Sequence, residues 1–152
     1  MENLTGRRIR GGEKHLKVFL VHKNARVPCY MTAEAAAADV YSCEKYIIKP
    51  GESIKVNLGI AFKIPKGYCL KITPRSSQLV KYGLISPLGL IDSDFTGTVS
   101  YPVANVGKEE ATIEIGDRVG QIEFCKLERK PRCFMQLKKE RDQNGFGGTG
   151  RN

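Results

Sequence analysis

Several short stretches of this chain place reactive side chains beside glycine, serine or proline, where a turn can present them. SPLGLIDSDFTG carries Asp92 and Asp94 next to Phe95. A carboxylate there can take a proton from water, and a ring can pack against a flat ligand. PRSSQLVKYGL sets Arg75 beside Ser76 and Ser77, a guanidinium and two hydroxyls of the kind that meet phosphate oxygens. GDRVGQIEF adds Arg118 and Gln121, and AAAADVYS isolates Asp39 among small residues. The chain closes on RDQNGFGGTGRN, where Arg141 could take an anion, Phe146 could stack, and the glycines let the backbone approach closely. Singly, each stretch has a commoner structural duty: an Asp that caps a turn, a Ser that caps a helix, an Arg in an ion pair.

Composition narrows the ligand. Lys and Arg number 25 against 16 Asp and Glu, a net charge of +9. That charge favours anionic partners. Aromatic residues make up only 8% of the 152 residues, and no basic stretch is interleaved with rings as a single-strand binder requires. A phosphorylated small molecule therefore fits better than a polymer, and stable nucleic-acid binding is not expected. No apolar stretch has the length of a membrane span, and the N-terminus lacks a signal-type core. An intracellular protein, cytoplasmic or nuclear, is the expectation. The cysteines at 29, 43, 69, 125 and 133 are odd in number and never spaced as CxxC, so they read as reduced thiols. With His15 and His22 the only histidines, and no His-Cys cluster in the linear sequence, a protein-held zinc is not expected.

The elements that must position these groups read as strands. LKVFLVH, YIIKPGESIKVNLGIAFKI, CLKITP, GTVSYPVANVG, ATIEI and VGQIEFCKL are short apolar or alternating runs at even spacing. They are separated by PKGY, VGKEE and IGD, which predicts an all-β sandwich or barrel. The Pro-Gly turn within the second run predicts two strands joined there. SSQLVKYG is the one helical turn expected, with Ser76 or Ser77 as its cap. The alanine-rich MTAEAAAADV is read as a loop leading into a strand. Residues 1–14 are read as a flexible basic arm, 15–137 as the β domain, and 138–152 as a detachable glycine-rich tail.

In this order and spacing, AAAADVYS, PRSSQ, GLIDSDFTG, GDRVGQ and RDQNGFGGTG resemble the ordered motifs of the trimeric dUTPase family, over about residues 16 to 152. The resemblance implies a β-barrel or jelly roll with at most one short helix and a mobile C-terminal tail. It implies hydrolysis of dUTP to dUMP and pyrophosphate by in-line attack of an Asp92-activated water on the α-phosphorus. Leu90 and Ile91 are expected to desolvate that carboxylate in part. The same resemblance assigns Arg75, Ser76, Ser77 and Gln121 to the phosphates, and backbone at Ser86, Gly89, Leu90, Ile91 and Ser100 in a hairpin over 86–100 to uracil. Phe95 would lie beneath the deoxyribose, while Asp94 would be structural or ion-paired. The tail becomes a lid in which Arg141 meets the γ-phosphate, Phe146 stacks on uracil, and Gly147 among other glycines wraps the phosphates. Mg²⁺ would be chelated mainly by the substrate and touched by Asp39 through water. The partners implied are dUTP and two further copies of the chain, in a homotrimer with shared sites.

Departures from the family pattern set the alternatives. Ala37 stands where glycine is usual, Gly120 where alanine is usual, Phe95 where tyrosine is usual, and Asp142 and Gly148 replace glycine and serine in the tail. If position 37 has positive φ, alanine there costs roughly 1 kcal/mol. A non-catalytic binding or signalling trimer is the alternative raised by the departures in the first and last motifs, at Ala37, Asp142 and Gly148. A dCTP deaminase, which shares the fold, is disfavoured because Pro102 stands where that reaction needs a glutamate.

Overall fold

Alternate side chains of the segment Ser100–Asn105 turn inward, with Tyr101, Val103 and Asn105 buried and Ser100 and Pro102 exposed. That period of two is the signature of a strand with one wet face. It recurs through the computed structural model, which describes residues 10–11 and 14–128. In chain order the strands are β1 (Arg10–Gly11), β2 (Lys14–His15), β3 (Lys17–Leu20), β4 (Ala38–Tyr41), β5 (Tyr46–Ile48), β6 (Ser53–Asn57) and β7 (Ile60–Lys63). Then follow β8 (Tyr68–Thr73), β9 (Leu84–Ile85), β10 (Gly89–Ile91), β11 (Ser100–Asn105), β12 (Ala111–Ile113) and β13 (Arg118–Lys126). Among the described residues the only helix is α1 (Ser76–Tyr82), between β8 and β9. The all-β expectation with at most one short helix holds. MTAEAAAA forms no helix and leads into β4.

Every ladder is antiparallel. The largest sheet runs β10-β8-β13-β4, a second runs β6-β11-β9, and β12-β5, β3-β7 and β1-β2 form pairs. Their inner faces enclose Val40, Val56, Ile60, Leu70, Tyr101 and Ile122, each at most 1% exposed. Pro102 is tolerated in β11 because it has a partner, Lys55, on β6 only; β9 pairs β11 only at Ala104 and Asn105.

The Pro-Gly turn joins two strands as expected, β5 and β6, which pair with others: β5 goes to β12 and β6 to β11. The expected hairpin over 86–100 is not formed. β10 pairs with β8, the chain turns at Asp92–Phe95 (Phe95 N to Asp92 O, 3.1 Å), and Val99 N donates to Ile60 O on the way into the other sheet. In both places the two strands belong to different sheets. Part of the arm expected over 1–14 lies in the β1–β2 hairpin. Cys29, Cys43, Cys69 and Cys125 are free thiols, and among the described residues no helix is long and apolar enough to cross a membrane.

Candidate active site

At the C-terminal end of β8 the chain turns through Pro74 into α1, and Arg75 becomes the N-cap in extended conformation. No serine caps this helix. The side chain of Gln78, in the first turn, accepts a hydrogen bond from Arg75 N at 3.3 Å and so ties down the cap backbone. The helix ends at Gly83, whose φ of 63° is left-handed and whose N–H bonds to Leu79 O at 3.0 Å. A Cβ at Gly83 would meet Gly107 Cα at 2.8 Å, so both the backbone angle and the packing call for glycine. Ser76 is left exposed and Ser77 half-buried at the mouth of this turn.

Asp39 is the centre of the polar constellation. It lies on β4, 2% exposed, opposite Gln121 on β13. Arg118 Nη1 donates to its Oδ2 at 3.2 Å, and Gln121 Nε2 donates to its Oδ1 at 3.2 Å. Arg75 Nε lies 3.2 Å from Oδ1 as an ion pair, although off the direction of a well-formed hydrogen bond. A buried carboxylate is costly unless paired, and here two guanidiniums and an amide share it. The arginines are 24% and 40% exposed, so both can still be reached by a solvent-borne anion. Arg75, Gln78, Arg118, Val119 and Tyr82 line one cleft.

Within the chain Asp39 and Gln121 hold each other. One N–H of the Gln121 amide goes to Asp39, and the amide carries a second. Two contacts fall on Asp39 Oδ1 and one on Oδ2, so within the chain this carboxylate orients Arg75 and Arg118.

Asp92 lies elsewhere. β10 runs antiparallel to β8 with Gly89 opposite Ile72 and Ile91 opposite Leu70, so the register carries Asp92 toward the start of β8. Arg75 is just beyond the other end. At ~3.3 Å per residue, the two are about 15–20 Å apart within one chain. Asp92 is exposed, Leu90 beside it is 62% exposed, and Ile91 turns inward at 7%. The apolar neighbours therefore do not desolvate the carboxylate as expected: alternation along β10 sends one into solvent and the other into the core. Asp94 is exposed and makes no ion pair among the described residues. Phe95 is 45% exposed, and a Cβ at Gly97 would meet its ring at 3.0 Å. Gly89 has a packing duty of its own, since a Cβ there would meet Ile72 Cγ2 at 2.7 Å. Ser86 holds its Oγ buried without a well-formed partner, close to Tyr101. Ser100 opens β11, exposed and opposite Asn57. Arg141, Phe146 and Gly147, with the whole tail, lie outside the described residues.

Two departures now have physical explanations. No described non-glycine residue has positive φ, so Ala37 carries no backbone strain. A Cβ at Gly120 would meet Tyr101 Cε1 at 2.9 Å and Thr73 O at 3.2 Å. Tyr101 is fully buried, donates its hydroxyl to Pro87 O at 2.8 Å, and has its pKa pushed up to about 12 by burial. Glycine at 120 makes room for that ring.

Fold and site together define an all-β protein with a fixed pair of guanidiniums, held on a buried carboxylate where a strand, a helix and a bulged strand meet. The dUTPase family model matches residues 23–151. The deoxyuridine 5'-triphosphate nucleotidohydrolase of Finegoldia magna is 37% identical over 142 residues, 89% of this chain and 99% of that protein. The protein of the same name from Yarrowia lipolytica is 36% identical over 141 residues, 90% of each. A Staphylococcus bacteriophage 80alpha dUTPase variant solved with dUpNHpp superposes with a TM-score of 0.76 at 24% identity, covering 90% of this chain and 98% of that one. A dUTPase variant from phage phi11 of S. aureus, described with a structural Mg(II) ion, gives 0.74 at 22%, covering 82% and 98%. This chain belongs to the dUTPase family.

Proposed function

We propose that this chain hydrolyses dUTP to dUMP and pyrophosphate as a homotrimer whose sites draw on several subunits. The observation that carries the reading is the Asp39-held pair of guanidiniums, on a chain of this family. A triphosphate brings several negative charges into a confined site, and preorganised cations neutralise them without reorganisation at the moment of reaction. Arg75 and Arg118 supply that charge. Ser76 and Ser77 offer hydroxyls and backbone amides beside Arg75.

Asp92 acts as the base, drawing a proton from water aligned against the α-phosphorus, with pyrophosphate leaving in line. A base and the phosphate it serves must sit within a few ångströms. Since Asp92 and Arg75 are about 15–20 Å apart along β8, the Asp92 that serves a given Arg75 comes from another subunit. That separation supports shared sites. Exposed Asp92 and Phe95 then face a neighbouring subunit's nucleotide, with backbone at Ser86, Gly89, Leu90, Ile91 and Ser100 reading uracil. The tail closes the site, Arg141 on the γ-phosphate and Phe146 on the base with Gly147 beside it. Closure excludes water and reopening releases product. Mg²⁺ arrives chelated by the triphosphate and is part of the substrate.

Ala37 carries no backbone strain, which removes one of the departures that favoured a non-catalytic relative. Deamination lacks its carboxylate, because position 102 is an exposed proline on β11. The deciding experiment is pyrophosphate release across dUTP, dCTP, dTTP and UTP, with and without Mg²⁺. Release confined to dUTP with Mg²⁺ is expected; tight dUTP binding without turnover at micromolar protein would refute the catalytic reading.

A further inference from the structure

Gln78 is a buried uncharged side chain that the reaction does not use, yet it bridges the two segments that carry the arginines. It is 4% exposed, in the first turn of α1. Its Oε1 accepts from Arg75 N at 3.3 Å, and its Nε2 donates to Val119 O at 2.8 Å. Val119 occupies a special place on β13. The register against β4 pairs Arg118 with Tyr41 and Gly120 with Val40, then slips, so Val119 has no partner across the ladder. A bulge of this kind removes a carbonyl from the sheet and re-aims the neighbouring side chain. Val119 is buried, and the Gln78 amide supplies a donor to its carbonyl.

A primary amide meets both demands. One end must accept from an N–H and the other must donate to a carbonyl. Leucine or methionine does neither, and an ionised carboxylate accepts twice. Arg75 is the residue whose backbone Gln78 holds, and Arg118 immediately precedes the carbonyl it holds. Both guanidiniums close on Asp39 from those fixed points. From this we infer that Gln78 is a positioning residue that sets the separation of the Arg75 and Arg118 guanidiniums, and through it the fit of the site to a polyphosphate. The inference rests on the proposal above that these arginines face phosphate.

The test uses the full chain with Gln78→Met and Gln78→Glu, and Ile48→Val in the core as a control for general loosening. Two readouts are taken on each: inorganic pyrophosphate affinity by calorimetry, and KM against kcat for dUTP. Gln78→Met is expected to weaken pyrophosphate and raise KM by about tenfold, the scale of one lost buried hydrogen bond, with kcat within about threefold. The control is expected to leave both affinities unchanged. Gln78→Glu is expected to match Gln78→Met at pH 8. It should recover toward the parent near pH 5.5, where its protonated carboxyl can donate to Val119 O while still accepting from Arg75 N. Comparing each variant with the parent at the same pH removes other titrations. Folded Gln78→Met with both affinities within twofold of the parent overturns the inference. Should it fail to fold, a Gln78→Glu to parent ratio that stays flat with pH overturns it. A parent that binds pyrophosphate but releases none from dUTP defeats the catalytic reading alone, and the affinity comparison still decides the role of Gln78. A parent that binds no pyrophosphate defeats both.

Discussion

Replacing Asp39 by asparagine keeps the volume of the side chain and removes the charge on which two arginines rest. The three contacts of that carboxylate are each 3.2 Å. The new amide retains one acceptor oxygen and turns N–H groups toward at least one existing donor. Severing a fully buried ion pair costs about 3–5 kcal/mol. Here Arg75 is 24% and Arg118 is 40% exposed, so both regain water, and the Arg118 share approaches that of a surface pair. A net loss of about 2 kcal/mol follows, which for a domain of this size lowers Tm by about 4–8 °C. The same change frees both guanidiniums from their seat, so KM for dUTP should rise by about tenfold or more. Thermal melts at one fixed protein concentration, since assembly feeds into Tm, and steady-state pyrophosphate release measure the two effects. Arg118→Gln should cost only about 1–2 °C, and combining it with Asp39→Asn should be less than additive. A Tm within about 1 °C of the parent, with KM unchanged, would refute the Asp39-centred cradle.

Other expectations follow from the same geometry. Asp92→Asn should abolish turnover and leave dUpNHpp binding within a few-fold of the parent by calorimetry; retained turnover would remove Asp92 as the base. Mixing an Asp92→Asn chain with one truncated near residue 138, each inactive alone, should restore part of the activity in freely exchanging trimers, and no recovery would count against shared sites. Gly120→Ala should lose about 1–3 kcal/mol in denaturant unfolding through overpacking against Tyr101, whereas Ala37→Gly should bring no gain. Glu44 accepts from Asn57 Nδ2 at 2.9 Å and from Tyr46 OH at 3.0 Å, and these bonds hold its pKa below the ordinary carboxylate range. Its contribution to stability is therefore present above the unfolded pKa and lost as pH falls through the folded one. The Tm gap between parent and Glu44→Gln should narrow below about pH 4, and a gap independent of pH would contradict that role.

The linear sequence settled the class of fold, because alternation in segments such as SYPVAN and VGQIEFCKL leaves one face of each strand apolar and forces two layers together. It settled the family too, because collinear stretches around Asp39, Arg75, Asp92 and Arg118 carry both turn chemistry and reactive groups. The start of α1 was less legible: Ser76 or Ser77 was the expected cap, and only the fold put Arg75 at the N-cap with Gln78 tying its backbone. Pairing between sheets was illegible: β5 and β6 adjoin in sequence yet join different sheets, as do β10 and β11. Likewise His22 and the adjacent pair Cys43 and Glu44, about twenty residues on, come within 4.8 Å of one another by their polar atoms only after folding. Local propensity could not have placed Asp39 between two guanidiniums or Asp92 at the far end of β8 from Arg75. Those are consequences of register, and register is fixed by which faces exclude water, a property of the assembled sheets and not of any one segment.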